Sequence, residues 1–407
     1  MTKHIYCDVV IAGCGVAGLY TALNLPEDLH VLMICKEDMD TCDSMLAQGG
    51  ICVLRGEDDY EPYFEDTMRA GHYENRKESV DLMIRTSPGI IRHLLELGVG
   101  FDKNPDGSLK YTKEGAHSRP RICFHEDITG KAITTVLQER TAALPNVDIM
   151  EYTVMTDILT ANGACAGIQA RTRDNSSLFI HARDTVMATG GIGGLYQHST
   201  NFPCLTGDAL TVAQKHGVKL EHLDYVQIHP TSLYTEKPGR SFLISESARG
   251  EGAVLLNGKG ERFVNELLPR DAVSQSIEAE MKKEGSCHVW LSFAPIPQKT
   301  ILEHFPHIYE TCLEEGYDIT KEPIPVVPAQ QISLRWISGI WKIPEGQLKI
   351  WGGSAGVTMW ICQFLLMWMR CGYAFWKKPV MWISCAIMQV CSFGRMHLNI
   401  RKRCLIR

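Results

Sequence analysis

The run Cys7-Asp-Val-Val-Ile-Ala-Gly-Cys-Gly-Val-Ala-Gly18 constrains this chain more than any other stretch. Val9 to Ala12 are apolar without interruption, the pattern of a strand buried on both faces of a parallel sheet. Gly13-x-Gly15-x-x-Gly18 follows, and each glycine has its own task. Gly13 permits a tight turn, Gly15 lets backbone N–H groups approach a pyrophosphate, and Gly18 lets the next helix pack closely on the strand. A helix begun at Val16-Ala17 and running to Leu25 points its positive end at the same place. A second apolar strand, Val31-Leu-Met-Ile34, completes a βαβ unit. The segment reads as a dinucleotide site, with Gly13, Cys14, Gly15, Val16, Ala17 and Gly18 around the phosphates.

A chain of 407 residues is long enough for two or three domains. Met1-Thr-Lys-His leads directly into the first strand with no apolar signal core, so a cytoplasmic location is expected. The 15 cysteines are odd in number and scattered, and no Cys-x-x-Cys pair occurs. That pattern argues against zinc ribbons, iron–sulfur ligation and a disulfide framework, and no metal site is expected. The first 330 residues hold no basic stripe with interleaved aromatics, which speaks against nucleic acid as a partner.

Residues 60–100 carry helical periodicity that stops at Gly98, a fitting C-cap. Asp127-Ile-Thr-Gly130 opens another amphipathic helix through Arg140. Val147–Met150, Val154–Leu159, Cys165–Arg171 and Leu178–Ala182 read as short strands of a small antiparallel layer. Thr185-Val-Met-Ala-Thr-Gly-Gly is a second strand that runs into glycines. Thr206-Gly-Asp-Ala-Leu then starts a helix with Asp208 in its first turn, where a carboxylate is favoured.

The end of the second strand separates the dinucleotides. A site for NAD usually places an acidic residue there, on the ribose. This chain has Cys35-Lys36-Glu37, and then Ser44-Met-Leu-Ala47-Gln48-Gly49-Gly50. A strand ending in Lys and followed by Ser-x-x-Ala-Gln-Gly-Gly resembles the flavoprotein family of succinate dehydrogenase, fumarate reductase and L-aspartate oxidase. The resemblance implies FAD, held by the glycine turn, Lys36, Ser44, Ala47, Gln48, Gly49, Gly50 and Asp208. It also implies an α/β fold: a Rossmann-like FAD-binding domain (1–220) with a small antiparallel layer, and an α+β capping domain (221–330). The strand near Thr185 is implied to return beside the first strand.

Three clusters carry candidate chemistry: Gln227-Ile-His229-Pro-Thr231, Glu246-Ser-Ala-Arg249-Gly-Glu251-Gly252, and Pro269-Arg270-Asp271. Alone, the first reads as a turn histidine and the second as a surface ion-pair network, worth little energetically. In this order they resemble the capping domain of the same family, which makes Arg270 and His229 catalytic and Thr231, Glu246 and Arg249 substrate-binding. The physical logic suits a dicarboxylate. Oxidising a C–H bond beside a carboxylate requires the substrate clamped against the flavin. Arginine is the natural clamp, because its planar fork grips a carboxylate and stays charged.

Two features select a branch of the family. Its succinate dehydrogenases carry a histidine before Ala-Gln-Gly-Gly that bonds covalently to FAD; Asp43 stands at that place, so FAD is expected to be non-covalent. Glu114-Gly-Ala-His117-Ser-Arg-Pro-Arg121-Ile, followed by His125 and Asp127, resembles the L-aspartate oxidase branch. There Glu114 would face the substrate's α-amino group, a charge that succinate lacks; the plainer reading is an exposed loop glutamate. The implied reaction takes L-aspartate to iminoaspartate with O2 or fumarate as acceptor. It is the first step of de novo NAD formation, with a possible hand-off to quinolinate synthase. A fumarate reductase or succinate dehydrogenase-type flavoprotein, or a catalytically inactive relative, is the alternative.

The resemblance ends near residue 330. Residues 331–407 hold eleven basic residues against one acidic residue, and seven of the chain's 8 tryptophans. The family's later histidine-rich segment and its His-Gly-x-Asn-Arg-Leu segment, implied to supply a second histidine and a second arginine clamp, do not occur there. A shifted reading frame is one account. Codons for Ile332-Ser-Leu-Arg-Trp-Ile337 can be chosen that give Phe-His-Cys-Gly-Gly one base over, and those for Trp376-Lys-Lys-Pro-Val380 can give Gly-Lys-Asn-Arg-Leu. A membrane tail is another, since residues 350–369 are uncharged for a length that can span a bilayer. A divergent soluble tail is the third.

Overall fold

The computed structural model describes residues 3–218, 220, 221, 223, 226–333, 336, 337 and 347–350. Strand β1 (Lys3–Ala12), helix α1 (Val16–Leu23) and strand β2 (Val31–Ile34) form the opening βαβ unit. β1 and β2 pair in parallel, Val9 opposite Val31 through Ala12 opposite Ile34. Helix α1 stops two residues short of Leu25: Asn24 closes it, its amide side chain donating to the carbonyl of Tyr20.

A three-residue-per-turn segment at Asp43–Leu46 leads to β3 (Ile51–Cys52), α2 (Tyr60–Ala70) and α3 (Lys77–Leu97). Pro88 lies inside α3 and cannot donate to the carbonyl of Ile84. The hydroxyl of Ser87 donates to that carbonyl instead, at 2.6 Å, so the helix continues to Gly98, whose φ of 107° ends it in the left-handed region. Short strands β4 (Tyr111–Thr112) and β5 (Ile122–Cys123) join β3 in a three-stranded sheet. Arg121 lies between them, fully buried, with Asp59 at 2.9 Å and Asp66 at 2.7 Å.

Helix α4 (Thr129–Ala142) crosses back to β6 (Val147–Met150). The sequence reading puts β6 in an antiparallel layer. It instead extends the parallel sheet, Val31 opposite Val147, because the chain re-enters beside β2 and Val31 N–H bonds the carbonyl of Asn146. Strands β7 (Thr153–Ala161) and β8 (Ala164–Thr172) are antiparallel. Leu178–Ala182 and the strand at Thr185 prove to be one element, β9 (Ser177–Met187). Its first half pairs with β8 while its whole length pairs in parallel with β1. One strand thus belongs to both the antiparallel layer and the dinucleotide sheet.

Helix α5 (Asp208–Lys215) and β10 (Leu220–Glu221) precede the second body. That body contains β11 (Val226–Leu233), α6 (Glu246–Gly250), β12 (Val254–Leu256), α7 (Arg270–Glu284), β13 (Val289–Ser292), α8 (Gln298–His304), α9 (Pro306–Glu314) and β14 (Ile324–Ser333). Its sheet has the order β11-β14-β13-β12, packed on a core that includes Leu255, Val273, Ile277, Val289, Leu291 and Phe293. β14 continues to Ser333, past the boundary that sequence places at residue 330. β15 (Trp336–Ile337) pairs with β10, and β16 (Gln347–Ile350) runs parallel to β9 beyond the end of β8. The rest of the tail, with the membrane segment after Ile350 and the second reading-frame segment Trp376–Val380, lies outside the described residues. Among the described residues, no helix is long and apolar enough to cross a membrane.

Candidate active site

Two neighbouring regions hold the residues singled out from sequence. The first is a cleft lined by Gly13, Cys14, Gly15, Ala17, Lys36, Asp43, Ser44 and Asp208, among others. Gly13 has φ 118°, and a Cβ there would meet the carbonyl oxygen of Ala188 at 2.1 Å. A Cβ on Gly18 would lie 1.9 Å from the carbonyl oxygen of Gly13, so α1 approaches the turn as only glycine allows. Gly18 therefore shapes the turn from behind. Gly15 caps α1 without any side-chain bond, and the N–H of Val16 donates to the Ser44 hydroxyl at 3.0 Å. A helix start beside a glycine turn is a built place for a pyrophosphate. Lys36 Nζ reaches Asp208 (3.0 Å), the Thr206 hydroxyl (2.8 Å) and the carbonyl of Cys204 (3.0 Å), which fixes a cation and an anion at the cleft wall. The residues present fit a dinucleotide.

Asp43 also lines this cleft. Its Oδ1 accepts from the N–H of Phe202 at 3.0 Å, and its Oδ2 has no hydrogen-bond partner among the described residues. Burial pushes this carboxyl up to about 7, against the pull of the Phe202 N–H and the Arg240 charge. The Ala47–Gly50 stretch leads away from the cleft wall toward the second region. Ala47 O accepts from Gly130 N–H at 2.7 Å, and Gln48 Oε1 is buried without a partner among the described residues. A Cβ on Gly50 would strike the carbonyl oxygen of Cys123 at 2.2 Å, while one on Gly49 would lie 2.9 Å from Glu114 Oε1.

The second region is built by β11, α6 and the start of α7. Pro269 directly precedes α7, so Arg270 is its first residue and projects from the helix start. Arg270 Nε lies 2.5 Å from Glu246 Oε2, and its Nη1 donates to Gln227 Oε1 (3.0 Å) and Gln331 Oε1 (2.8 Å). Glu246 stands at the first position of α6, whose cap is Ser245. On its other side is Arg249, 3.9 Å away, which donates to the carbonyl of Glu266 at 2.6 Å. Glu246 and Arg249 are buried, so their network is not a solvated surface one. Burial drives the Glu246 carboxyl upward, but Arg270 and Arg249 outweigh it and hold it below its usual range.

His229 is fully enclosed on β11, two residues from Gln227 and hence on the same face of the strand. Its Nδ1 is engaged by the backbone of Thr231, and its Nε2 is buried with no partner among the described residues. Burial, and then the charges of Arg270 and Arg249, hold its pKa well below the usual histidine range, so the ring is neutral. Gln227 Nε2 is likewise buried without a partner among the described residues. Two orphaned polar nitrogens beside a guanidinium fit a ligand carboxylate. The Thr231 hydroxyl, by contrast, is spent on the carbonyl of Ile244 at 3.0 Å.

Glu114 enters this region from the β4–β5 connection, and Ser247 donates to its Oε1 at 2.8 Å. Burial, then the neighbouring Glu246, raise its carboxyl above the usual range, opposed by Arg270, the Ser247 hydroxyl and Arg249. Sequence reasoning missed Gln227, Ser247 and Gln331. The two-residue spacing of Gln227 and His229 was the available signal for the first. Gln331 lies just past residue 330, where the sequence reading ends the capping domain, on a strand that runs on to Ser333.

The chain matches the FAD binding domain family over residues 8–339. An L-aspartate oxidase of Clostridium perfringens is 48% identical over 324 residues, which span 79% of this chain and 73% of that one. One from Clostridium acetobutylicum is 44% identical over 328 residues, spanning 80% and 75%. Among solved structures, an E. coli quinol fumarate reductase is similar with a TM-score of 0.81 and 25% identity, covering 95% of this chain and 73% of the other. FAD is accordingly the dinucleotide that the glycine cleft serves, and the chain is an FAD-dependent oxidoreductase. It belongs to the FAD-binding flavoprotein family of fumarate reductase and succinate dehydrogenase, within the group of the L-aspartate oxidases.

Proposed function

We propose that this chain carries the site for oxidising L-aspartate to iminoaspartate, with O2 or fumarate as acceptor, as the first step of NAD biosynthesis in the cytoplasm. The observation that carries the reading is the meeting of Glu114 with Arg270 and Glu246, around the same arginine whose charge reaches the buried His229. FAD, when bound, supplies the electron sink for a hydride from the substrate's α-carbon. Arg270 grips one substrate carboxylate; the nitrogens of His229 and Gln227 that have no partner among the described residues serve as further polar contacts. Glu246 holds the guanidinium in place and keeps it from turning toward Glu114. Glu114 meets the α-ammonium, and a substrate without that amine leaves the carboxylate unpaired. In fumarate reduction, Arg270 delivers the proton, and Glu246 Oε2, 2.5 Å from its Nε, is placed to return one.

The same proposal includes an impairment. The segment that would supply the second histidine and second arginine is replaced by the basic, tryptophan-rich run after residue 330. With half of the clamp missing, FAD affinity and turnover are low, and any hand-off of iminoaspartate to quinolinate synthase is correspondingly weak. The test compares FAD affinity and aspartate turnover of this chain with those of a chain whose codons after position 330 are read one base over. A gain in both from the restored frame supports the reading; equal values in the two proteins overturn the impairment. The fumarate reductase likeness favours a second reading, fumarate reduction as the main activity. Succinate formation outpacing aspartate oxidation would select it.

A further inference from the structure

Glu114 is asked to meet an ammonium, yet burial and the Glu246 carboxylate both disfavour its charged form. Its Oε1 is held in a narrow place. On one side is the backbone of Gly49, where a Cβ would come within 2.9 Å; on the other is the Ser247 hydroxyl at 2.8 Å. Ser247 is the second residue of α6, directly after Glu246. The Ser245 hydroxyl in turn contacts the Ser247 hydroxyl at 3.2 Å, which orients it within the helix cap. Among the described residues, no other hydrogen bond to the Glu114 carboxylate occurs, so Oε2 is left for a ligand.

We propose that Ser247 is a specificity-determining positioning residue: its hydroxyl aims the Glu114 carboxylate at the substrate amine and so sets the preference for an amino-dicarboxylate over a plain one. The proposal rests on the L-aspartate reading above. Ser247 touches no reacting atom and acts only through Glu114. Arg270, Arg249 and Glu246 also face Glu114, but Glu246 and Arg270 are committed to each other, and Arg249 donates through Nη1 to the carbonyl of Glu266. A neutral hydroxyl can donate to the carboxylate without competing with an ammonium for its charge, as a guanidinium at the same place would. Alanine at 247 would leave the carboxylate free to rotate toward Arg270, which would stop it discriminating.

Calorimetric titration of the dithionite-reduced, FAD-saturated full chain with L-aspartate and with succinate tests this, because reduced flavin cannot oxidise either ligand. Ser247→Ala is expected to weaken L-aspartate about tenfold, the scale of one hydrogen bond to a charged group. Succinate affinity should stay within about twofold, and Ser247→Thr should restore the preference. A wild-type preference for L-aspartate that Ser247→Ala retains overturns the role of Ser247 alone. Equal weakening of both ligands also overturns it, by making the residue merely structural. No wild-type preference for L-aspartate overturns the substrate reading itself.

Discussion

Arg270 Nε and Glu246 Oε2 lie 2.5 Å apart, and each of these side chains is only 7% exposed. The pair joins the first residue of α7 to the first residue of α6, so two helix starts converge on one ion pair. Gly115 permits the approach, since a Cβ there would come within 2.3 Å of Glu246 Oε1. A buried charge whose partner is removed is strongly destabilising, usually by about 3–5 kcal/mol. Glu246→Gln is therefore expected to lower unfolding free energy by about that amount and turnover by about a hundredfold or more. Denaturant melts and steady-state rates check both.

His229 offers an Nε2 without a partner among the described residues and remains neutral, so its contribution is one hydrogen bond rather than a charge. His229→Ala should raise KM for the dicarboxylate by about tenfold and change kcat less. A fall in kcat with KM unchanged would assign the ring to the chemical step instead.

His117 is buried beside Arg121, and burial, then that guanidinium, depress its pKa from 6.5 to about 4. An unfolded chain takes up its proton first as pH falls, so this histidine's stabilising contribution is present above pH 6.5 and is lost between there and about 4. The loss is of order 3 kcal/mol. Chemical melts across that window should show a shallower acid slope in His117→Gln.

Asp43 behaves in the opposite sense. Its folded pKa is raised to about 7 from 3.8, so its penalty is absent at low pH and grows as pH rises through that window. Asp43→Asn should be more stable than the parent by ~2–4 kcal/mol at pH 8 and nearly equal to it at pH 4. Melting curves at the two values decide the point.

The glycine turn, Lys36 and the order of the three capping-domain clusters were legible in sequence because each depends on local backbone geometry or on one invariable charge. Arg270 could be placed at a helix start from Pro269 alone. The direction of β6 could not, because its apolar alternation suits a parallel and an antiparallel neighbour equally, and only the Asn146 carbonyl beside β2 decides it. Arg121 stands in the Glu114–Ile122 motif without an assigned role, although Asp59 and Asp66, both far off in sequence, enclose it completely. Thr231 was expected to face substrate; its hydroxyl points to the Ile244 carbonyl, an acceptor brought in by the segment before α6. Gln331 and Ser247 carry no motif, since an amide oxygen and a hydroxyl gain meaning only from what stands 3 Å away.

The central claim is that the cluster around Arg270 and Glu114 oxidises L-aspartate on FAD. Its most direct test is the anaerobic bleaching of bound flavin at saturating FAD, on addition of L-aspartate or succinate. Slow bleaching by L-aspartate, none by succinate, and loss of the aspartate response in Arg270→Leu are expected. Bleaching by succinate but not by L-aspartate, or an Arg270→Leu protein that bleaches as the parent does, would contradict it.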